Sequence, residues 1–595
     1  MTQQPARSSV RPVQRRAPRP SPALAPEQKK NDTVHILPPA PGIVRIIPFG
    51  GCEEIGKNMT AIEYGNDIVI VDMGFQFSGE DMPGVDFVIP DISYLEERQH
   101  KIRGVFVTHG HLDHIGGIPY MMPRIGNPTL YTRLLTSLII KKRQDEFPHF
   151  PHLNMEIIEE NARIKAGSMN VRFFGVTHTI PDSMGIIIET PNGNIIFTGD
   201  LKIDHVNGMP TAEEARVYAE LGQENNLALL MDSTNAEKPG FSFSEKQVQE
   251  NLRKIIADAP GRLIIGTFAS LLERIIFVIN ASEEMGKKIA ITGRSMKVNI
   301  EIAKQIGLLK AKQSTFISPE QVGDYAPNKV VILATGAQGD EFAALMLMAN
   351  KKHKIKLQKT DTVLLSSSII PGNEKSVQKL KDNIARQGAR IIHNMIANVH
   401  SSGHANSEEM LWVHTQLKPK FFIPIHGSHY MLRVHSEIAR GAGMFEDNII
   451  IPDNGTIIEI DAEGKKISAA KDKVAQGIIM VDALGKGDVK DIVVRDRQVL
   501  AQDGMFMIVC VIDTKTGKIR QSPDIISRGF IYLKESQEVL RQSRFIIRKT
   551  IEEAIKDMHP INFDYVKNLV RERLGKYLVQ QTGKRPIIIP VLLEV

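Results

Sequence analysis

The stretch THGHLDHIGG, residues 108–117, decides how this chain is to be read. It sets His109, His111, Asp113 and His114 close together, behind the short apolar run GVFV and ahead of a glycine pair. A lone histidine is usually a surface or satisfied core residue. Three of them with an aspartate at the end of a buried strand point instead to metal ligation. His109 and His111 alternate beyond the strand, so one loop can turn both imidazoles toward one ion. Asp113 and His114 come at the next turn, where a second ion fits. Imidazole and carboxylate without thiolate suit Zn or Mn.

Two further candidates also end apolar runs. His178 closes NVRFFGVTH and Asp200 closes NIIFTGD. Read singly, they are a loop histidine and a turn aspartate after glycine. Read in order, all at strand ends, they extend the ligand set, and the two oxygens of Asp200 can bridge a pair of ions.

The whole chain narrows the setting. Its 595 residues exceed what one core supports, so several domains are expected. No apolar run approaches the roughly 20 residues that a membrane span needs. The N-terminus has Pro and Arg where a signal peptide needs an apolar stretch, so a cytoplasmic location is expected. Cys52 and Cys510 are the only cysteines, which excludes a disulfide framework and cysteine-rich zinc sites. Residues 1–30 carry Arg7, Arg11, Arg15, Arg16, Arg19, Lys29 and Lys30 against Glu27, a surplus equal to the net charge of +6. This Pro-rich tail, residues 1–40, is predicted to be disordered, serving either solubility or salt-sensitive attraction of RNA.

Texture divides the remainder. Short strands and hairpin signals (YGND, TPNGN) run through 41–240. Helical stretches such as SEKQVQENLRKIIADA then alternate with apolar runs such as RLIIGTFAS and KVVILATG over 241–388, which predicts a parallel α/β sheet. Hairpin texture returns over 389–500, so one domain interrupts another. A last domain, 505–595, has its own strands and a charged amphipathic helix.

These ligand motifs resemble those of the metallo-β-lactamase fold, an αββα sandwich with a dinuclear site at one sheet edge. The late histidine of that site is matched by His426 in FFIPIHGSH. Asp200 and His426 stand 226 positions apart, and an insert between those two ligands resembles the β-CASP group of nucleases. Asp232 in LLMDSTN, His404 in HSSGH and His426 match its motifs A, B and C; TFASLLER, TGRSM, SSSIIPGNE, HSSGH and PIHG, in this order, resemble the ribonuclease J family. The expected class is therefore α/β (α+β): a metallo-β-lactamase sandwich, an inserted β-CASP domain and a small α+β C-terminal domain. The sequence departs from the family pattern at Ala337, Asp340 and Glu341, at Leu347 or Met348, and at GSHY (427–430).

The resemblance implies a metal-dependent ribonuclease with endonuclease activity and 5′-to-3′ exonuclease activity that prefers 5′-monophosphate ends, acting in mRNA decay and rRNA processing. It implies two divalent ions per subunit, zinc with Mn or Mg as alternatives. The first ion takes His109, His111, His178 and Asp200; the second takes Asp113, His114, Asp200 and His426. Asp113, Asp232 and His404 are the expected catalytic residues. His400, Ser401, Ser402, Gly403, His404 and Ser368, in hydroxyl- and glycine-rich loops, are the expected phosphate donors. A homodimer or homotetramer, other RNA-decay or ribosome-associated partners and no membrane contact are also implied. A small-molecule hydrolase fits the long insert poorly, a DNA-directed nuclease remains chemically open, and a decayed RNA-binding scaffold would lack ligands that are all present here.

Overall fold

Alternating apolar residues build two facing sheets. In the computed structural model, which describes residues 36–595 apart from 80, 371, 483–490, 514, 515, 517, 532–535, 557 and 559, the first sheet runs in the order 467–473, 456–460, 44–50, 59–64, 67–71, 102–106, 130–132, 155–157. The second runs 421–425, 226–232, 193–197, 184–190, 169–175, 163–166. The predicted disordered tail lies outside the described residues except for 36–40. Ile46, Ile62, Val69 and Phe106 of the first sheet meet Val171, Ile186, Ile195 and Leu230 of the second in one sealed core. The outer face of the second sheet (Ile187, Ile196, Leu229, Phe422) is covered by Tyr218, Met410, Leu417 and Ala439 of helices 212–221, 407–417 and 429–441.

The hairpin signals form hairpins, with Tyr64 opposite Asp67 and Thr190 opposite Gly193. Between Asp232 and the helix at 407 the periodicity changes, and so does the sheet. Strands 316–317, 288–292, 330–334, 263–267, 362–366 and 390–393 pair in this order, all parallel. Both faces are buried, under Val248, Leu252 and Ile275 on one side and Leu345, Leu380 and Ile384 on the other, which is why these strands read as unbroken apolar runs. The strand Arg390–His393 closes this sheet, and the short helix Asn394–Ala397 connects it to the HSSGH loop. Near the C-terminus, strands 518–519, 505–513, 524–528 and 587–594 pack on helices 537–555 and 563–582 through Phe506, Ile508, Ile547 and Leu574.

Candidate metal centre and phosphate loop

The second sheet delivers its site residues to one edge. His178 follows strand 169–175, Asp200 follows 193–197, Asp232 ends 226–232 and His426 follows 421–425, and these strands share one direction. Parallel register sets Asp232 opposite Ile425, so His426 comes within 3.2 Å of Asp232 although 194 positions separate them. From the first sheet, strand 102–106 brings His109 and His111, and the short helix Leu112–Ile115 carries Asp113 and His114.

Three overlapping groups of ligand atoms result at this edge among the described residues: His109, His111, His178 and Asp200; Asp113, His114, Asp200 and His426; and Asp200, Asp232, His404 and His426. In the first, Nε2 of His109 and Nε2 of His178 each lie 3.1 Å from Nδ1 of His111. Asp200 Oδ2 stands 3.6 Å from the His109 nitrogen and 3.8 Å from that of His178. Ligands about 2.0–2.1 Å from a zinc ion stand roughly 3.3 Å apart at tetrahedral corners, so the spacing fits. In the second, Asp200 Oδ1 is 3.1 Å from His114 Nε2, and Asp113 Oδ2 is 3.3 Å from His426 Nε2.

The hydrogen bonds behind these atoms set the tautomers. His178 donates from Nδ1 to the Gly403 carbonyl at 2.7 Å, leaving its Nε2 lone pair bare. His114 donates from Nδ1 to Asp72 Oδ2 at 2.8 Å. Thr108 gives its hydroxyl proton to Asp72 and accepts from His109 Nδ1 at 3.0 Å. Thr234 gives its proton to Asp232 and accepts from His426 Nδ1 at 2.9 Å. Each ring therefore turns a lone pair inward, and a buried Oδ1 of Asp200 that accepts no hydrogen bond faces them. Lone pairs and carboxylate oxygens facing one another at such distances call for positive charge between them, which protons on His114 and His426 or a divalent ion can supply, and the imidazole–carboxylate donor set fits a divalent metal.

Charge follows burial and neighbours. Burial holds His109 and His111 below the ordinary histidine range and pulls His178 down to about 3. Burial also opposes charge on His114 and His426, but the carboxylates of Asp200, Asp113, Asp72 and Asp232 outweigh it and raise both rings well above that range. His404 is raised too, by Asp232 and Asp200 against burial; its Nδ1 lies 2.7 Å from Asp232 Oδ2. Asp232 thus orients two histidines at once.

All the expected metal ligands converge here. The loop at 400–404 sits directly on them: a Cβ added to Gly403 would meet His178 Cε1 at 2.6 Å. Ser402 Oγ accepts from Asn235 Nδ2 at 2.9 Å and from the His404 amide at 3.3 Å, which leaves its own proton to donate. The Ser401 hydroxyl donates to the Phe243 carbonyl, so its backbone is what it can offer a phosphate. Ser368 is exposed after strand 362–366, its carbonyl accepting from Gln338 at 2.6 Å. Of the departures, Asp340 and Glu341 line a cleft with Gln338, Asn373 and Lys379, and His429 pairs with Glu53 at the surface.

Sequence reading missed Asp72, Thr108, Thr234 and Asn235. Asp72 had a visible signal, since IVIVDMG ends an apolar strand on an aspartate as NIIFTGD does. Its φ of 59°, like the 54° of His426, places a side-chain-bearing residue in the left-handed region, at a cost of about 1 kcal/mol that buried ligand positions commonly bear.

A sandwich, an inserted parallel sheet and converging His/Asp atoms at the sheet edge define a metallo-hydrolase of the metallo-β-lactamase superfamily, whose family model matches residues 53–266. Further matches are to the ribonuclease J beta-CASP domain over 260–384, the Zn-dependent metallo-hydrolase RNA specificity domain over 388–452 and the ribonuclease J C-terminal domain over 492–595. Ribonuclease J2 of Bacillus subtilis is 37% identical over 553 residues, covering 93% of this chain and 99% of that protein. Ribonuclease J 1 of Streptococcus pyogenes is 38% identical, covering 93% and 98%. The crystal structure of a protein of unknown function from Enterococcus faecalis V583, 17% identical with a TM-score of 0.50, covers 70% of this chain and 100% of its own and shares the fold. The chain belongs to the ribonuclease J family. It is a metal-dependent ribonuclease, a hydrolase of RNA phosphodiester bonds.

Proposed function

We propose that the enzyme removes nucleotides in the 5′-to-3′ direction from RNA with a 5′-monophosphate, and that it also cuts internally. One observation carries this reading. Among the described residues, the backbone N–H groups of Ser401, Ser402 and Gly403 have no hydrogen-bond partner. Unpaired amides are available to an anion, and these adjoin His178, whose Cε1 a Cβ on Gly403 would meet at 2.6 Å. A terminal monophosphate satisfies such donors. A 5′-hydroxyl leaves them unmet, at about 1–3 kcal/mol per buried polar group, and a triphosphate brings more charge than a few neutral donors accept.

Two divalent ions, zinc or else Mn or Mg, supply Lewis-acid activation of water and phosphate when bound. The chain's own residues divide the remaining work. Asp113, Asp200 and the five histidines 109, 111, 114, 178 and 426 hold the ions; Asp232 orients His426 and His404. His404, whose Nδ1 lies 2.7 Å from Asp232 Oδ2 and whose hold on a proton is strengthened by Asp232 and Asp200 against burial, is placed to donate to the leaving oxygen. His400, Ser402 and Ser368 complete the phosphate contacts.

The domain reading is 41–240 with 389–500, interrupted by 241–388 and followed by 505–595. The work is RNA maturation and decay in the cytoplasm by a homodimer or homotetramer, with other RNA-decay or ribosome-associated partners. No described helix is long and apolar enough to cross a membrane. The test is one RNA labelled at either end and prepared with triphosphate, monophosphate and hydroxyl 5′ termini. Release of 5′ nucleotides first, fastest from the monophosphate, supports the proposal; equal decay of all three, or release from the 3′ end first, refutes it.

A further inference from the structure

Beneath the 400–404 loop lies a buried charge cluster that the metal site does not use. Arg274, on helix 272–284 and 3% exposed, forks onto Glu245: Nε donates to Oε1 at 3.0 Å and Nη2 to Oε2 at 2.8 Å. Its remaining Nη1 donates to His400 Nδ1 at 2.7 Å and to Ser366 Oγ at 3.4 Å. Ser366 in turn donates to the Val399 carbonyl at 2.7 Å, and the His400 amide donates to Asn394 Oδ1 at 3.0 Å. On the other side, Lys202, two residues after the Asp200 ligand, lies 3.5 Å from Ser401 Oγ and 3.8 Å from Glu245.

A guanidinium has five N–H groups and no lone pair to offer, and it does not lose a proton in proteins. The nitrogen it faces on His400 must therefore be the acceptor. In a neutral imidazole that puts the one N–H on Nε2. Burial first, then the cations Arg274, Lys202 and Lys238, hold His400 well below the ordinary histidine range, so the ring is neutral. Among the described residues Nε2 has no hydrogen-bond partner, and it is not sealed from solvent.

We propose that Arg274 is a positioning residue for the RNA 5′ end: by occupying Nδ1 of His400 it locks the ring in the Nε2–H form and gives the phosphate loop an oriented neutral donor. This rests on reading the 400–404 loop as the 5′-phosphate anchor. Without Arg274 the two tautomers of a free imidazole compete, and the form with a bare Nε2 turns a lone pair toward the phosphate. Glu245 holds the guanidinium in plane, so the donor is aimed as well as present.

The test uses the full-length, metal-loaded enzyme on RNA with a 5′-monophosphate, measuring kcat and KM for the wild type, Arg274→Gln, His400→Ala, His400→Gln and the Arg274→Gln/His400→Gln double variant. Arg274→Gln is expected to raise KM by about tenfold, the scale of one hydrogen bond to a charged group, with a much smaller change in kcat. In His400→Gln an amide N–H replaces the Nε2–H whatever Arg274 does, so the double variant should match His400→Gln alone. An equal further loss on removing Arg274 from His400→Gln, or parallel falls in kcat and in cleavage of internal sites, would mean a merely structural arginine and overturns the proposal. If His400→Ala leaves the 5′-monophosphate preference intact, the anchor reading itself fails and this inference with it. Should Arg274→Gln fold poorly with Glu245 left unpaired, Arg274→Gln/Glu245→Gln removes both charges, and the imidazole ¹⁵N shifts of His400 in the wild type give a readout that needs no variant. A protonated Nε2 and bare Nδ1 support the assignment; the reverse pattern overturns it.

Discussion

Replacing Asp72 by Asn tests whether the second ion is held through the residue behind its ligand. The Asp72 carboxylate is buried and accepts from the Thr108 amide at 2.8 Å, from Thr108 Oγ1 at 2.9 Å and from His114 Nδ1 at 2.8 Å. An asparagine keeps the shape and tolerates the φ of 59° better than alanine does, so backbone strain is held nearly constant. It offers only one acceptor oxygen. If that oxygen serves Thr108, its NH2 group meets the His114 Nδ1–H, donor against donor. The ring then either breaks the bond or moves its proton to Nε2, the nitrogen that faces Asp200 at 3.1 Å. Loss of such a partner behind a ligand typically lowers metal affinity by about 10–100-fold, or about 1.4–2.7 kcal/mol. Folding should lose a charge-assisted hydrogen bond, about 1.5–3 kcal/mol. The assay is metal content per chain after dialysis against graded chelator, with cleavage followed as metal is restored. The variant should retain the first ion, lose the second at lower chelator and recover activity at high metal. Wild-type affinity for both ions would refute the tautomer argument.

Other outcomes follow from the same geometry. His114 and His426 are raised and His109, His111 and His178 lowered, so protons compete for the second ion and hardly for the first; falling pH should strip the second ion before the first, seen as metal content across a descending pH series. Asp113→Ala should cut RNA cleavage by more than about 100-fold with little change in melting temperature, because the carboxylate is 30% exposed and packs little; full activity with unchanged metal content would count against the second site. Gly403→Ala should weaken the first ion, since the new methyl meets Thr179 Cγ2 at 2.5 Å and His178 Cε1 at 2.6 Å; metal analysis checks it. Deleting residues 1–30, which carry a charge surplus of +6, should weaken RNA binding chiefly at low salt and leave turnover at saturating RNA nearly unchanged.

What the sequence determined by itself was local. Ligand types, their places after apolar strands and the change from hairpins to alternating helix and strand all depend on neighbours a few residues apart, and short-range patterns record them. For this reason the sequence picks out His109, His111, Asp113, His114, His178 and Asp200, and the family resemblance adds His426; the fold brings their side-chain atoms together. Tertiary structure alone decided which atom of each residue is used. Asp72 reaches His114 because strand 67–71 pairs parallel with 102–106, setting Val71 against Phe106. His426 meets Asp232 only through the register of 226–232 with 421–425, and Arg274 meets His400 across 126 positions. The Ser401 hydroxyl, legible as a phosphate donor, is turned to the Phe243 carbonyl instead. Register and side-chain direction are set by the summed packing of both sheets over a common core, a non-local quantity that no short window of sequence contains.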